Sequence, residues 1–348
     1  MSRRVRRGLA ILLGLGLLIS AGWFFPKQVR KSVRKSAIRN ALADRDLALA
    51  DRLLTEHLRH DDGDAQAHLL AAQTARRLDD VTSANRHLNR YRELGGDPEE
   101  FQMELVLRGC QSGNLSGASG AMKLCTEQPH NPAVPFMLEA LTRGYLAANR
   151  PATAVEVTDV WLKRNPATGE RAYVLYLRGR GFELQANIPD ALTCYRDALV
   201  IRPKLHDCTF ALAEVLRRES PTEALTHYEQ LREAGYKPAD VTVGTAGCLR
   251  QLGELDRASA LIAPVVAEQP SNVAALVEAA KVDLDRLRPG DAEPRLKRAL
   301  QLAPKHRDAN VQFVRCLRDL GRDTEAKEQA EKLRLLDAEL FKPDGKTP

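Results

Sequence analysis

An alanine returns along this chain at nearly constant intervals. Ala50, Ala84, Ala118, Ala154, Ala191, Ala224, Ala258, Ala292 and Ala326 follow one another at a period of about 34 residues, slightly stretched on either side of Ala154. A unit of that length is too short to bury a core of its own, so a chain built on this period must bury each unit against the next.

Other positions keep step with the alanine. Four residues later stand Leu54, Leu88, Met122, Thr158, Tyr195, Tyr228, Ile262, Leu296 and Ala330, and three further on His57, Tyr91, Cys125, Trp161, Ala198, Leu231, Val265, Ala299 and Leu333. Offsets of four and three keep one face of a helix turned inward. Twelve residues before the alanine comes a small or modest residue in most units: Ala72, Gly179, Ala246, Ala280 and Val314. Between the two apolar runs a polar residue precedes an apolar one, as in Asp46-Leu47, Asn114-Leu115, Asn187-Ile188 and Glu254-Leu255. Gly113, Gly253 and Gly321 mark the end of the first run, where glycine closes a helix, and Pro166, Pro203, Pro270 and Pro304 stop the second. Each unit is predicted to be a helix–turn–helix. The units run over residues 31–64, 65–98, 99–132, 133–168, 172–205, 206–238, 239–272, 273–306 and 307–340, with a polar tail at 341–348.

Residues 243–270, "VGTAGCLRQLGELDRASALIAPVVAEQP", carry this pattern most fully, together with 182–203 and 274–304. The period, the small residue near the eighth position, alanine at the twentieth, an aromatic or aliphatic at the twenty-fourth and proline at the thirty-second resemble the tetratricopeptide repeat. The resemblance covers about residues 31–340 and implies an all-α chain: a right-handed α-solenoid of stacked hairpins. Ala50 to Ala326, with Tyr195, Ala198, Pro203, Pro270 and Pro304, are then its packing positions. Two stretches depart from the pattern: the Gly- and Ser-rich "QSGNLSGASGAMK" within 99–132, and 167–171, where about three residues are inserted.

The amino-terminal segment is of another kind. Gly8 to Phe25 is apolar without a charge, between a basic head at 1–7 and a second basic cluster, and Pro26 closes it. Eighteen residues give roughly 27 Å of helix, enough for the thinner bilayer cores, and Trp23, Phe24 and Phe25 lie where interfacial aromatics sit. The expectation is one transmembrane helix over 8–26 that meets the lipid bilayer and precedes the array. A cleaved signal is the first alternative, with Ser20 and Ala21 before its cut but Ile19 against it; a buried soluble helix is the second. Arg3, Arg4, Arg6 and Arg7 favour a cytoplasmic amino terminus and an array beyond the membrane, whereas Lys27, Arg30, Lys31, Arg34, Lys35 and Arg39 pull the other way.

The basic pI of 9.0 comes from that same segment. Its first 39 residues hold ten Lys or Arg and no acid, which leaves 42 basic against 46 acidic residues beyond Arg39. A nucleic-acid partner is therefore not expected. The six cysteines, Cys110, Cys125, Cys194, Cys208, Cys248 and Cys316, have no C-x-x-C spacing; buried thiols are expected, with Cys110–Cys125 and Cys194–Cys208 as the alternative bridges.

No catalytic spacing is present: no H-E-x-x-H, no phosphate-binding G-x-x-x-x-G-K, no G-x-S-x-G and no dinucleotide fingerprint. No enzyme, cofactor or metal is expected. His57, His60, Asp61, Asp62 and Asp64 form the densest set of ligand types, which a solvated helix end explains as well. The remaining function is contact. Arg76, Arg77, Arg143, Arg180, Arg250, Lys281, Arg315 and Arg318, joined by Tyr173 and Tyr176, fall on first helices and predict a basic concave groove for an acidic peptide or another anionic chain. The ordered Lys/Asn set by which some repeats of this kind clamp a carboxy terminus is missing. The function expected is a membrane-anchored scaffold holding a protein or peptide in an envelope or secretion assembly; the alternative is a docking accessory for a polysaccharide or peptidoglycan enzyme of the cell envelope.

Overall fold

The computed structural model describes residues 27–131 and 133–340. The apolar run 8–26 and the tail 341–348 lie outside the described residues; within the described residues, no helix is long and apolar enough to cross a membrane. The described chain is all-α, with eighteen helices and no strand.

The chain divides into two compact units. The first holds α1 (Lys27–Ala43), α2 (Leu47–His60), α3 (Ala65–Arg77), α4 (Val81–Glu93), α5 (Pro98–Gln111), α6 (Ala118–Glu127), α7 (Val134–Ala147), α8 (Pro151–Lys163) and α9 (Thr168–Leu184). The second holds α10 (Ile188–Ile201), α11 (His206–Glu219), α12 (Pro221–Glu233), α13 (Pro238–Gln251), α14 (Leu255–Glu268), α15 (Val273–Asp285), α16 (Pro289–Leu302), α17 (Arg307–Asp319) and α18 (Asp323–Leu340). Within each unit a helix packs on its neighbours in sequence, and first helices also pack on one another, α5 on α7 and α13 on α15.

All nine register alanines are at most 4% exposed, each on a second helix, where the absence of a longer side chain lets the partner helix come close. The residues after them fill the space between helices. Leu54, Tyr195, Tyr228 and Leu296 are buried at offset four; Tyr91, Trp161 and Leu231 are buried at offset seven. Pro203, Pro270 and Pro304 do not pack: they are exposed turn residues that follow α10, α14 and α16. A missing N–H and a fixed φ are all that position requires of them.

Two boundaries differ from the sequence expectation. The basic cluster at 27–39 forms α1, whose Ile38 packs with Leu54, Leu58, Ala67 and Ala71; the first hairpin thus includes Lys27, not residue 31, as its start among the described residues. The three extra residues near 167–171 make no loop. They lengthen α9 to 17 residues, and its first turn places Glu170 to accept the buried Trp161 indole N–H at 2.6 Å.

The turns share one backbone feature. Arg45, Asp79, Gly113, Asn149, Ala186, Gly253, Leu287 and Gly321, each five residues before a register alanine, have positive φ. This left-handed residue ends a first helix so that the chain can reverse into the second. Glycine is unstrained there and leucine is not. Leu287, at φ 60 and 86% exposed, contacts little that glycine would lose. Leu287→Gly is therefore expected to stabilise the second unit by about 0.5–1 kcal/mol, part of the gain being offset by the freer unfolded chain. Urea unfolding of the two proteins checks the sign.

Candidate functional site

The first helices bring the expected cations together, but with acids that neutralise them. In the first unit Arg76 and Arg77 are buried, at 3% and 9% exposure, and do not line an open basic face. Arg76 pairs with the buried Glu104 and donates to Gln111 at 3.0 Å. Arg77 donates to Glu139 at 2.9 Å, and Arg143 to Asp79 in the α3–α4 turn. Glu139 also receives both guanidinium nitrogens of Arg45, at 2.6 and 2.7 Å, and the Arg45 guanidinium lies 3.2 Å from the centre of the Tyr173 ring. Tyr176 stands beside Tyr173, ring centres 5.7 Å apart, and Arg180 pairs with Glu183 at 2.9 Å. Burial opposes ionisation of Glu139, but Arg45, Arg77 and Arg143 outweigh it and hold the carboxyl well below the usual range.

The second unit presents a more open face. Arg250 on α13 donates to Glu278 at 2.8 Å and Asp285 at 2.9 Å on α15. Asp285 also receives Arg315 of α17 at 2.8 Å, and Lys281 bridges to Asp308 at 2.6 Å. The result is a ladder of alternating charge across three first helices. Arg318 is exposed, with no ion pair among the described residues. Between the charges runs an apolar row absent from the sequence expectation: Phe210, Val243, Val277 and Val311, one per first helix and spaced at the repeat period. Phe210, Val243 and Val277 line one groove of about 330 Å³. Val311 lines a neighbouring groove of about 580 Å³, whose walls are Arg217, Arg218, Arg250, Lys281 and Arg307 against Asp308 alone among acids. The expected basic groove is thus confined to one end of this face, where basic side chains also complement the carboxyl ends of α11 and α13.

The other candidate groups have local partners. His57, Asp61 and Asp64 lie close enough to share an ion, but Lys35 places its ammonium 2.8 Å from Asp64, and His57 lies 3.0 Å from the same carboxylate oxygen. Burial opposes ionisation of Asp64, yet hydrogen bonds from Lys35, His57 and the Ala67 N–H hold its carboxyl at about 2. All six cysteines are free and buried. Burial pushes the thiols of Cys208 and Cys248 up to about 12 and those of Cys125 and Cys316 to about 11, which removes the thiolate that attack requires. In the native protein at neutral pH, a disulfide thiol reagent is expected to find fewer than about one reactive thiol, and all six after denaturation. Absorbance of the released thiolate reads the count.

Comparison with known proteins bears on the fold. A search of the curated proteins finds no match. Tetratricopeptide-repeat models match residues 208–273 and 284–340. Among solved structures, a tetratricopeptide repeat protein from Parabacteroides merdae superposes with a TM-score of 0.58 at 13% identity, over 67% of this chain and 91% of that one. PilW, a widely conserved type IV pilus biogenesis factor, does so at 0.50 and 20% identity, over 58% and 93%. A chain of the APC/C hetero-tetramer Cut9–Hcn1 reaches 0.54 at 15% identity, over 79% and 54%. Residues 208–273 and 284–340 thus match tetratricopeptide-repeat models, and the described helices share the fold of a solved tetratricopeptide repeat protein.

Proposed function

We propose that the protein is a membrane-anchored scaffold that holds an extended segment of a partner protein along α11, α13, α15 and α17. The observation that carries this is the row Phe210, Val243, Val277 and Val311, one apolar side chain per first helix, in grooves also lined by Asp240, Asp308, Arg217 and Arg250. An extended segment presents alternate side chains to one face, so its apolar residues meet the row while its carboxylates meet the cluster of Arg217, Arg218, Arg250, Lys281 and Arg307. The apolar run 8–26 holds the array at a bilayer, on the side away from the cytoplasm. The fold-level likeness to a type IV pilus biogenesis factor favours an assembly of the cell envelope as the setting.

The test places a charge in the row. Val243 and Val311 are half-buried, so Val243→Arg and Val311→Arg are tolerated by the fold while desolvating a charge against any bound segment. Partner recovery from detergent extracts should fall at least about tenfold in either variant, with circular dichroism unchanged. Full recovery would show that this face is not used. An enzyme reporter fused after Pro348, active only when exported, checks the orientation in the same cells.

A further inference from the structure

The tip of the first hairpin sits in the first unit as a ligand sits in a site. Asp44, Arg45 and Asp46 join α1 to α2, and Arg45 occupies the left-handed turn position, φ 55. At the equivalent position of other turns, Asp79, Asn149, Ala186 and Leu287 are exposed. Arg45 is 7% exposed. A turn of this kind has no need of arginine, since aspartate, asparagine, alanine, leucine and glycine all serve. The surroundings account for it instead. Glu139, far along the chain, takes both its terminal nitrogens in a fork, and the Tyr173 ring lies under the guanidinium. The backbone is seated as closely: a Cβ on Gly169 would lie 2.8 Å from the Asp44 carbonyl oxygen. Glu139 and Tyr173 lie on successive first helices, α7 and α9, so neighbouring hairpins build the pocket together.

We propose that Glu139 and Tyr173 form a binding site for an arginine side chain, and that Arg45 fills it in cis, the backbone of its own turn seated against Gly169, until an arginine of a partner protein displaces the tip. A forked carboxylate over an aromatic ring suits a planar guanidinium and discriminates against lysine, whose ammonium makes neither the paired bonds nor the stack. The occupant and the partner class follow from that chemistry alone and do not depend on the apolar row of the second unit.

The experiment uses the full-length chain as wild type, Arg45→Ala and Gly169→Ala, with acetyl-Ala-Arg-Ala-amide as probe and its lysine counterpart as control. Calorimetry should give Arg45→Ala a dissociation constant near about 1 mM for the arginine probe, at least about tenfold tighter than for the lysine probe or for wild type. Gly169→Ala pushes the tip out without touching Arg45 or Glu139. Trypsin should cut its Arg45–Asp46 bond at least about tenfold faster than in wild type, where the burial of Arg45 shields it, and the arginine probe should bind. Folded Arg45→Ala that binds neither probe, or both equally, overturns the proposal. If Arg45→Ala does not fold, Gly169→Ala decides. Unchanged cleavage, cleavage without probe binding, or loss of its melting transition as well makes the tip a structural strut and overturns the proposal.

Discussion

Replacing Glu139 by alanine is expected to lower the stability of the first unit by about 3–5 kcal/mol, enough to remove most of the margin of a domain of this size. The carboxylate is 1% exposed and is the common acceptor for Arg45 and Arg77, with Arg143 at 3.9 Å. Its removal strands guanidinium groups that cannot lose their charge and have no water to turn to. The exposed pair of Arg196 with Glu223 supplies the contrast: Arg196→Ala should cost under about 1 kcal/mol. Glu139→Gln adds a pH dependence whose sign follows from the depressed carboxyl. The ionised group contributes in full above the unfolded carboxylate value of about 4.3, and that contribution is lost as pH falls toward the lower folded value. Urea midpoints of wild type and Glu139→Gln should therefore differ most at neutral pH and converge below about pH 4.

The second large effect is steric. Gly144 on α7 faces the backbone of α5 so closely that a Cβ would lie 2.1 Å from the Cys110 carbonyl oxygen and 2.7 Å from its carbon. Neither atom belongs to a side chain that can turn aside. Gly144→Ala must push two first helices apart, and with them the packing of Leu107, Leu138, Leu141 and Trp161 in one core. A loss of about 3 kcal/mol or more is expected. Gly120 on α6 has nothing within 4 Å of its would-be Cβ, so the same change there should stabilise by about 0.5–1 kcal/mol through helix propensity. Thermal melts of the two variants should move in opposite directions.

The contrast between these glycines marks what a sequence of this kind reveals. The helix-pair period is legible because the same side chains recur at the same offsets, and Gly113, Gly253 and Gly321 announce their turns because only glycine takes positive φ without strain. Arg45, Asp79 and Leu287 adopt the same backbone with nothing in their identity to announce it. Pro203, Pro270 and Pro304 keep the register without packing, because periodicity alone does not separate a residue that fills a core from one that stops a helix.

The candidate site is legible only in part. Arg76, Arg77, Arg143 and Arg250 can be placed on first helices, but the acids they pair with lie 28 to 64 residues away, and a charge pattern carries no record of which acid a fold will bring beside it. Sequence reasoning misses Glu139 and Glu104 for that reason. The row from Phe210 to Val311 does leave a signal, its recurrence at the repeat period, but on the other helix of each hairpin from the register alanines.

Deletion of residues 238–271 from the second unit is the most direct check that hairpins bury their apolar faces in one another and not in a single closed core. That segment is one full period, and its removal joins Lys237 to Asn272, whose side chain still accepts the Ala275 N–H at the start of α15. The expected product keeps its helix content and a single cooperative melt, displaced downward by several degrees as one inter-hairpin interface is lost. A product without a cooperative transition, or one that aggregates as it would if a closed core had been cut through, would contradict the account.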